Sequence, residues 1–250
     1  MSLTLLVTGA TSGFGNAISR RAVRDGHRVI ATGRRADRLQ ALQQELGEAV
    51  LPMPLDVTNA AAVATLPDSL PAEWAEVDVL VNNAGLALGV SPAQQANVAD
   101  WDTMVATNVT GLIHLTRALL PGMMARDRGH IVNLGSTAGT YPYPGGNVYG
   151  ASKAFVAHFT ANLKSDLVGT GVRVTCIEPG LVGGSEFSQV RMGDADKAAA
   201  VYAGTTPLTP EDVAEAVAWV IGLPAHVNIN RVEMMPTCQA PGPLVIKRRG

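Results

Sequence analysis

Cysteine is scarce in this chain of 250 residues: only Cys176 and Cys238 occur. Two thiols build neither a disulfide framework nor a cysteine metal cluster, so no metal is expected. Charged residues are sparse at 16%, and the two signs nearly cancel to a net charge of -2. That balance gives no electrostatic case for nucleic acid. The one basic run, Lys247-Arg248-Arg249, reads as a solvated end. No stretch reaches the ~18 uninterrupted apolar residues that cross a membrane. The first residues lack a basic region followed by an apolar stretch and cleavage site. A cytoplasmic protein is the expectation. Repeats, low-complexity stretches and linkers are missing too, which favours one domain over residues 1–250.

What the chain does have is apolar mass: hydrophobic residues make up 47%. They fall into short runs that alternate with helical segments. Strands are expected at 3–7, 27–32, 49–55, 77–81, 130–134, 172–177 and 231–235. Helices are expected at 17–25, 36–46, 100–124 and 149–168, with a last one opening at Thr209-Pro210-Glu211-Asp212. Buried strands alternating with helices predict a parallel sheet covered on both faces.

Glycines punctuate the first strand's end, in Gly9-Ala10-Thr11-Ser12-Gly13-Phe14-Gly15. They permit a tight bend and let backbone N–H groups approach phosphate oxygens. The helix that follows offers its positive end to an anion. An ordinary strand-to-helix turn is the competing reading. The second strand ends in Thr32-Gly33-Arg34-Arg35, with no carboxylate before Asp37. A carboxylate there would bind the ribose diol of NAD; guanidiniums bind the 2′-phosphate of NADP instead. Arg38 extends the cluster, and NADP is the expected cofactor. A solvated basic turn is the bland alternative. Asp56, at the third strand's end, can accept from an adenine amino group or simply cap a turn. Asn82-Asn83-Ala84-Gly85 closes the fourth strand with residues small enough for close packing beside a cofactor.

Tyr149 and Lys153 are four residues apart, so on a helix they share a face. A free phenol has a pKa of about 10 and is a poor base at neutral pH. A neighbouring ammonium lowers that value and makes proton transfer feasible. Such a pair alone also fits an exposed amphipathic helix. Ser136 follows a strand and can hold a substrate oxygen against the phenol. Asn108 sits inside the long predicted helix, where asparagine is disfavoured. It can interrupt that helix to hold a water beside Lys153.

As a set, Thr8-Gly9-x3-Gly13-x-Gly15, Asn82 to Gly85, Asn108, Ser136, Tyr149-x3-Lys153 and Pro179-Gly180 resemble the short-chain dehydrogenase/reductases. The resemblance runs from Leu3 to about Met235. It implies a Rossmann-type α/β fold, a doubly wound sheet of about seven parallel strands with helices on both faces. It implies a catalytic tetrad of Asn108, Ser136, Tyr149 and Lys153. In that scheme Tyr149 transfers the alcohol proton, while Lys153 lowers its pKa and holds the nicotinamide ribose. Cofactor contacts are implied for Gly9, Thr11, Ser12, Gly13, Phe14, Gly15, Arg34, Arg35, Arg38, Asp56 and Val57. They are also implied for Asn83, Ala84, Gly85, Tyr149, Lys153, Pro179, Gly180 and Val182. A homotetramer built through the helices of Asn108 and Tyr149 is implied as well.

The finer resemblance is to one branch, the NADP-dependent 3-hydroxy acid dehydrogenases. It rests on Phe14 between Gly13 and Gly15, and on Ala31 to Arg35, Asn82 to Gly89, Gly145 to Gly150, Glu178 to Ser188 and Leu223 to Asn230. It implies oxidation of serine, allo-threonine or 3-hydroxyisobutyrate, and reduction of malonic semialdehyde. The segment 183–206 is expected to be a lid over the substrate, since long loops in compact domains are often functional. Arg191 is its one arginine and the candidate for a substrate carboxylate, with a solvated loop arginine as the competing reading. Tyr143, Asn147 and Glu186 are further pocket candidates, with Ser136 and Tyr149 at the reacting oxygen. A general carbonyl reductase and a non-catalytic NADP sensor are the alternatives.

Overall fold

The computed structural model describes residues 2–242, so the basic run at 247–249 lies outside them. Elements follow one another as β1 (Thr4–Val7), α1 (Gly13–Arg24), β2 (Arg28–Gly33), α2 (Ala36–Leu46), β3 (Val50–Pro54) and α3 (Ala60–Ser69). Next come β4 (Val79–Asn82), α4 (Val98–Val105), α5 (Leu112–Ala125), β5 (Gly129–Leu134) and α6 (Asn147–Asp166). The chain continues through β6 (Val172–Pro179), α7 (Phe187–Met192), α8 (Ala195–Tyr202), α9 (Pro210–Ile221) and β7 (Arg231–Met234). The seven strands lie in the order β3-β2-β1-β4-β5-β6-β7, and neighbours pair in parallel. Strand order reverses between β1 and β4. In such sheets the crevice beyond the strand ends at the reversal is the natural ligand site.

Both faces of the sheet are covered, which is why its strands read as unbroken apolar runs. Leu5 and Val7 pack to one side with Ile18, Leu39, Val213 and Val217. Leu6 turns the other way and joins Ile30, Leu80, Leu115, Met123 and Leu163. The alternation is the period of two that a strand imposes. Helix α9 opens with a capping box between Thr209 and Asp212 and with Pro210 in its first turn. Val213 and Val217, one turn apart, then share the face that meets the sheet. Among the described residues, no helix is long and apolar enough to cross a membrane.

Three elements depart from the expected pattern. Helix α3 was not foreseen; Asn59 caps it by accepting from Ala62 N, and Pro67 inside it masks the helical pattern. The expected helix over 100–124 is present but interrupted. Between α4 and α5 the backbone takes a π-helical turn at Ala106–Gly111, with Asn108 inside it. The segment 183–206, expected as a loop, carries α7 and α8.

His130 on β5 is buried, and its Nε2 lies 2.8 Å from Thr175 Oγ1. Thr175 donates its hydroxyl proton to Ile229 O at 2.7 Å, so it accepts from the ring. That selects the neutral tautomer with hydrogen on Nε2. Burial, with repulsion from Arg173, lowers the ring's pKa from 6.5 to about 3. The unfolded chain gains a proton as pH falls below about 6.5, whereas the folded ring stays neutral until about 3. Stability should therefore fall on acidification through that window, by up to about 1.4 kcal/mol per pH unit. Urea denaturation across that range should show a shallower acid slope for His130→Gln than for the native chain. Equal slopes would remove His130 from the acid response.

Candidate active site

The cleft opens where β1 and β4 end. Gly9 and Gly13 hold φ of +66° and +51°, the left-handed region that glycine enters without strain. Gly15 is needed for a different reason. A Cβ there would strike the carbonyl oxygen of Gly9 and come within 2.6 Å of Asn83 Nδ2. Ser12 precedes α1 without capping it by its side chain, so the first-turn N–H groups remain for an anion. A hydroxyl one residue before the turn ties the two strand ends together. Thr8 Oγ1 accepts from Asn83 N at 2.9 Å and Ala84 N at 2.8 Å, and donates to Val81 O at 3.2 Å. Asn83 Nδ2 returns a bond to Thr8 O at 2.7 Å.

From this turn a cleft of about 350 Å³ runs to the middle of α6. Its lining includes Gly9, Thr11, Ser12, Gly13, Phe14, Arg34, Arg35, Asp56, Val57, Asn83, Ala84, Gly85, Tyr149 and Lys153. Sequence reasoning did not reach Gly33, Leu55, Leu86, Ala87, Thr107, Ser185, Phe187 and Val190, which also line it. Gly33 carried a readable signal, since a Cβ on it would meet Thr11 Cγ2 at 2.7 Å. Arg38 is placed in the adjoining hollow beside Glu186 and Gln189. Gly15, Pro179, Gly180 and Val182 are not on the cleft lining. Gly180 N bonds Met234 O at 2.8 Å, and Val182 bridges to Leu208, so this stretch anchors the exit of β6.

At the far end the four polar residues converge. Tyr149 and Lys153 are buried on α6, at 8% and 7% exposure. Lys153 Nζ donates to Leu134 O at 2.7 Å and lies 6.0 Å from the Tyr149 ring centre. Ser136 Oγ accepts from Ala138 N at 3.1 Å and donates to Pro179 O at 3.4 Å. Asn108 Oδ1 accepts from Leu86 N at 2.9 Å; its Nδ2 donates to Leu86 O at 2.8 Å and Ser152 Oγ at 3.0 Å. Its amide is thus directed at the loop after β4, and the π turn is what aims it there.

Burial dominates the electrostatics. It pushes the Tyr149 phenol up to about 12, against the pull of the Ser136 hydrogen bond and the Arg191 charge. Burial also lowers the Lys153 ammonium to about 8. The expected lowering of the phenol by Lys153 is corrected here. Among the protein's own groups, Ser136 and Arg191 act in that direction, and Lys153 is turned onto a carbonyl. At neutral pH the site holds a protonated phenol, able to give a proton, beside a charged ammonium.

Arg191, in α7, stands over two rings. Its guanidinium carbon is 5.3 Å from the Tyr143 centroid and 5.5 Å from that of Tyr149. Nη2 and Nε donate to Gly145 O and Gly89 O at 3.2 and 3.3 Å. Two further pocket candidates make other contacts. Asn147 donates to Ser91 O at 3.2 Å and accepts from Val148 N at 2.8 Å, so its amide ties a loop to the start of α6. Glu186 lines the cleft. Its two oxygens are taken by Arg35 and Arg38, which hold its carboxyl below the usual range.

A glycine turn and a basic cluster share one cleft with Tyr149 and Lys153, and this is the arrangement of a dinucleotide-dependent oxidoreductase. The chain belongs to the short chain dehydrogenase family, which it matches over residues 3–194. It is 64% identical over 247 residues to the NADP-dependent 3-hydroxy acid dehydrogenase YdfG of Salmonella typhi, covering 98% of this chain and 100% of that one. It is 50% identical over 241 residues to the serine 3-dehydrogenase of Agrobacterium fabrum, covering 96% of each. Among solved structures it is similar to the closed form of serine dehydrogenase complexed with NADP+. There the TM-score is 0.95 at 60% identity, covering 99% of this chain and 100% of that one.

The Gly15 contacts generate a direct test. Gly15→Ala forces a methyl between Gly9 and Asn83, at the junction of α1 with β4. It should cost about 1–3 kcal/mol, as overpacking of a closed site does. The urea midpoint should fall accordingly; an unchanged midpoint would mean that the turn widens freely.

Proposed function

We propose that this chain is an NADP-dependent dehydrogenase of small 3-hydroxy acids. Serine, allo-threonine and 3-hydroxyisobutyrate form the substrate class, and malonic semialdehyde is reduced in the reverse direction. The observation that carries the reading is Arg191 over the Tyr149 ring. A 3-hydroxy acid carries its carboxylate two bonds from the carbinol carbon. A cation fixed beside the proton-transferring phenol suits that spacing, and an apolar alcohol would not need it. The named activities of the similar dehydrogenases support the same class.

The residues fit the cofactor. Glycines at 9, 13 and 15 keep the turn tight where phosphates approach, and Arg34 and Arg35 stand at the cleft's adenosine end to meet a 2′-phosphate, with Glu186 paired to Arg35 and Arg38 beside them. Bound there, NADP(H) supplies or accepts the hydride. Ser136 donates to the substrate oxygen and holds it against the Tyr149 hydroxyl. Tyr149 gives its proton to that oxygen in reduction and receives one in oxidation. Lys153, fixed by Leu134 O, keeps a positive charge beside the phenol below about pH 8. Asn108 fixes the loop after β4 and, through Ser152, the helix that carries Tyr149. Phe187 and Val190 of the 183–206 lid help exclude water. The molecule acts as one domain with this lid. Two free thiols suit a reducing cytoplasm. A homotetramer through α5 and α6 is part of the proposal, with the exposed Phe155 stacked on Phe159 on the outer face of α6.

The lining residues Leu86, Ala87 and Phe187 favour one second reading, a carbonyl reductase for uncharged ketones. Substrate comparison separates the two. Arg191→Ala should raise the KM for serine or 3-hydroxyisobutyrate by about tenfold or more, the worth of a hydrogen bond to a charged group. The KM for NADP+ should not move. Unchanged hydroxy-acid KM values, with faster turnover of neutral ketones, would replace the proposal by the second reading. Tyr149→Phe should reduce kcat by about 10²–10⁴. The reductive rate should decline as pH rises through about 8, because the lysine that loses its proton there supports the phenol. Lys153→Met should remove that decline together with most of the activity.

A further inference from the structure

Glu186 is the point at which the lid touches the arginine cluster. Its Oε2 accepts from Arg35 Nη1 at 2.9 Å, and its Oε1 accepts from Arg38 Nη1 at 2.8 Å. Arg35 is itself bound to the glycine turn. Its Nε and Nη2 donate to Thr11 Oγ1 at 3.2 and 3.0 Å, and Nη2 also donates to Ser12 Oγ at 2.8 Å. Polar contacts therefore run without a break from the turn, through Arg35, to the first residue before α7. The next residue, Phe187, sets its ring 5.6 Å from the Tyr149 ring at a tilt of 56°. One turn later Arg191 lies over the same ring. Phe187 and Arg191 are spaced to share one helix face. Gly184 and Gly193 flank α7 with φ of +70° and +63°, conformations that suit hinge positions.

Charge explains why an acid sits among these cations. Arg34, Arg35 and Arg38 carry three positive charges, and a ribose 2′-phosphate brings up to two negative ones. Glu186 supplies the third.

We infer that Glu186 is a positioning residue that latches the lid, coupling the arginines of the adenosine end to Phe187 and Arg191 at Tyr149. The inference rests on the reading of those arginines as the 2′-phosphate site. It predicts that the 2′-phosphate is felt at the substrate: by ordering Arg35 it strengthens the hold on the lid. NAD+, which lacks that group, closes the lid less well.

Two measurements test it. Trypsin cleavage after Arg191 and Lys197 is followed by mass spectrometry with no nucleotide, with NAD+ and with NADP+. In the native enzyme NADP+ should slow cleavage more than NAD+ does. Glu186→Gln should raise the cleavage rate at least threefold and abolish the difference between the nucleotides. With NADP+ saturating, Glu186→Gln should raise the hydroxy-acid KM severalfold, with a smaller change in kcat. Arg38→Gln should do the same, and the double variant should be no worse than either. Glu186→Asp, which keeps the charge, should recover part of the loss. Unchanged cleavage and KM in Glu186→Gln would overturn the latch. Tighter NADP+ binding by Glu186→Gln would overturn it too, since the carboxylate would then compete with the phosphate. A native enzyme that turns over no hydroxy acid would end the functional reading, while the cleavage assay would still decide the latch.

Discussion

One hydroxyl sets the register of the whole site. Thr8 Oγ1 bonds Asn83 N, Ala84 N and Val81 O, and so fastens β1 to β4 at the place where strand order reverses. The phosphate turn begins at the next residue. From Ala84 the chain passes through Gly85 to Leu86, whose N–H and C=O both bond Asn108. Asn108 bonds Ser152, and Ser152 donates to Tyr149 O at 2.7 Å. Seven hydrogen bonds therefore carry position from the turn to the phenol's helix. Hydride transfer tolerates misplacement of its reacting atoms by well under an ångström. That precision is built from buried polar pairs on rigid elements, and a flexible loop could not supply it.

The same chain of contacts explains the broken helix between α4 and α5. A regular helix would direct the Asn108 amide at its own backbone. The π turn adds a residue per turn, leaves backbone groups without their usual partners, and swings the side chain to Leu86. Gly111, at the end of the turn, keeps the helix close to the third strand's exit, since a Cβ there would meet Val57 Cγ2 and O at 2.9 Å. Local helical stability is given up so that one amide can serve two elements.

What the sequence makes legible follows from which forces act locally. The strands are visible because burial on both faces leaves only apolar residues in them, and the order of motifs along the chain locates their ends. Asn108 stood out because asparagine has a local reason not to be there. Helix α3 was hidden because Pro67 near its end imitates a stop, although the Asn59 cap before three alanines was readable. Helices α7 and α8 are short and take their order from contacts with distant residues. Glu186 is a pocket candidate because it lies in the lid segment, yet its partner Arg35 lies 151 positions away. No spacing rule reaches that far.

Long-range burial also decides the protonation state, which helix spacing alone gets wrong. The i, i+4 relation of Tyr149 and Lys153 suggests mutual stabilisation of phenolate and ammonium. The fold instead withdraws both from water, and each charged form loses solvation. The phenol rises to about 12 and the ammonium falls to about 8, so the neutral phenol is the form the protein itself supports. A protonated phenol held by Ser136 is arranged to donate to a carbonyl oxygen. Taking a proton from an alcohol at the same pH requires added positive charge at the ring. Two cations stand near the ring: Arg191 on α7 of the lid, and Lys153 on α6 itself.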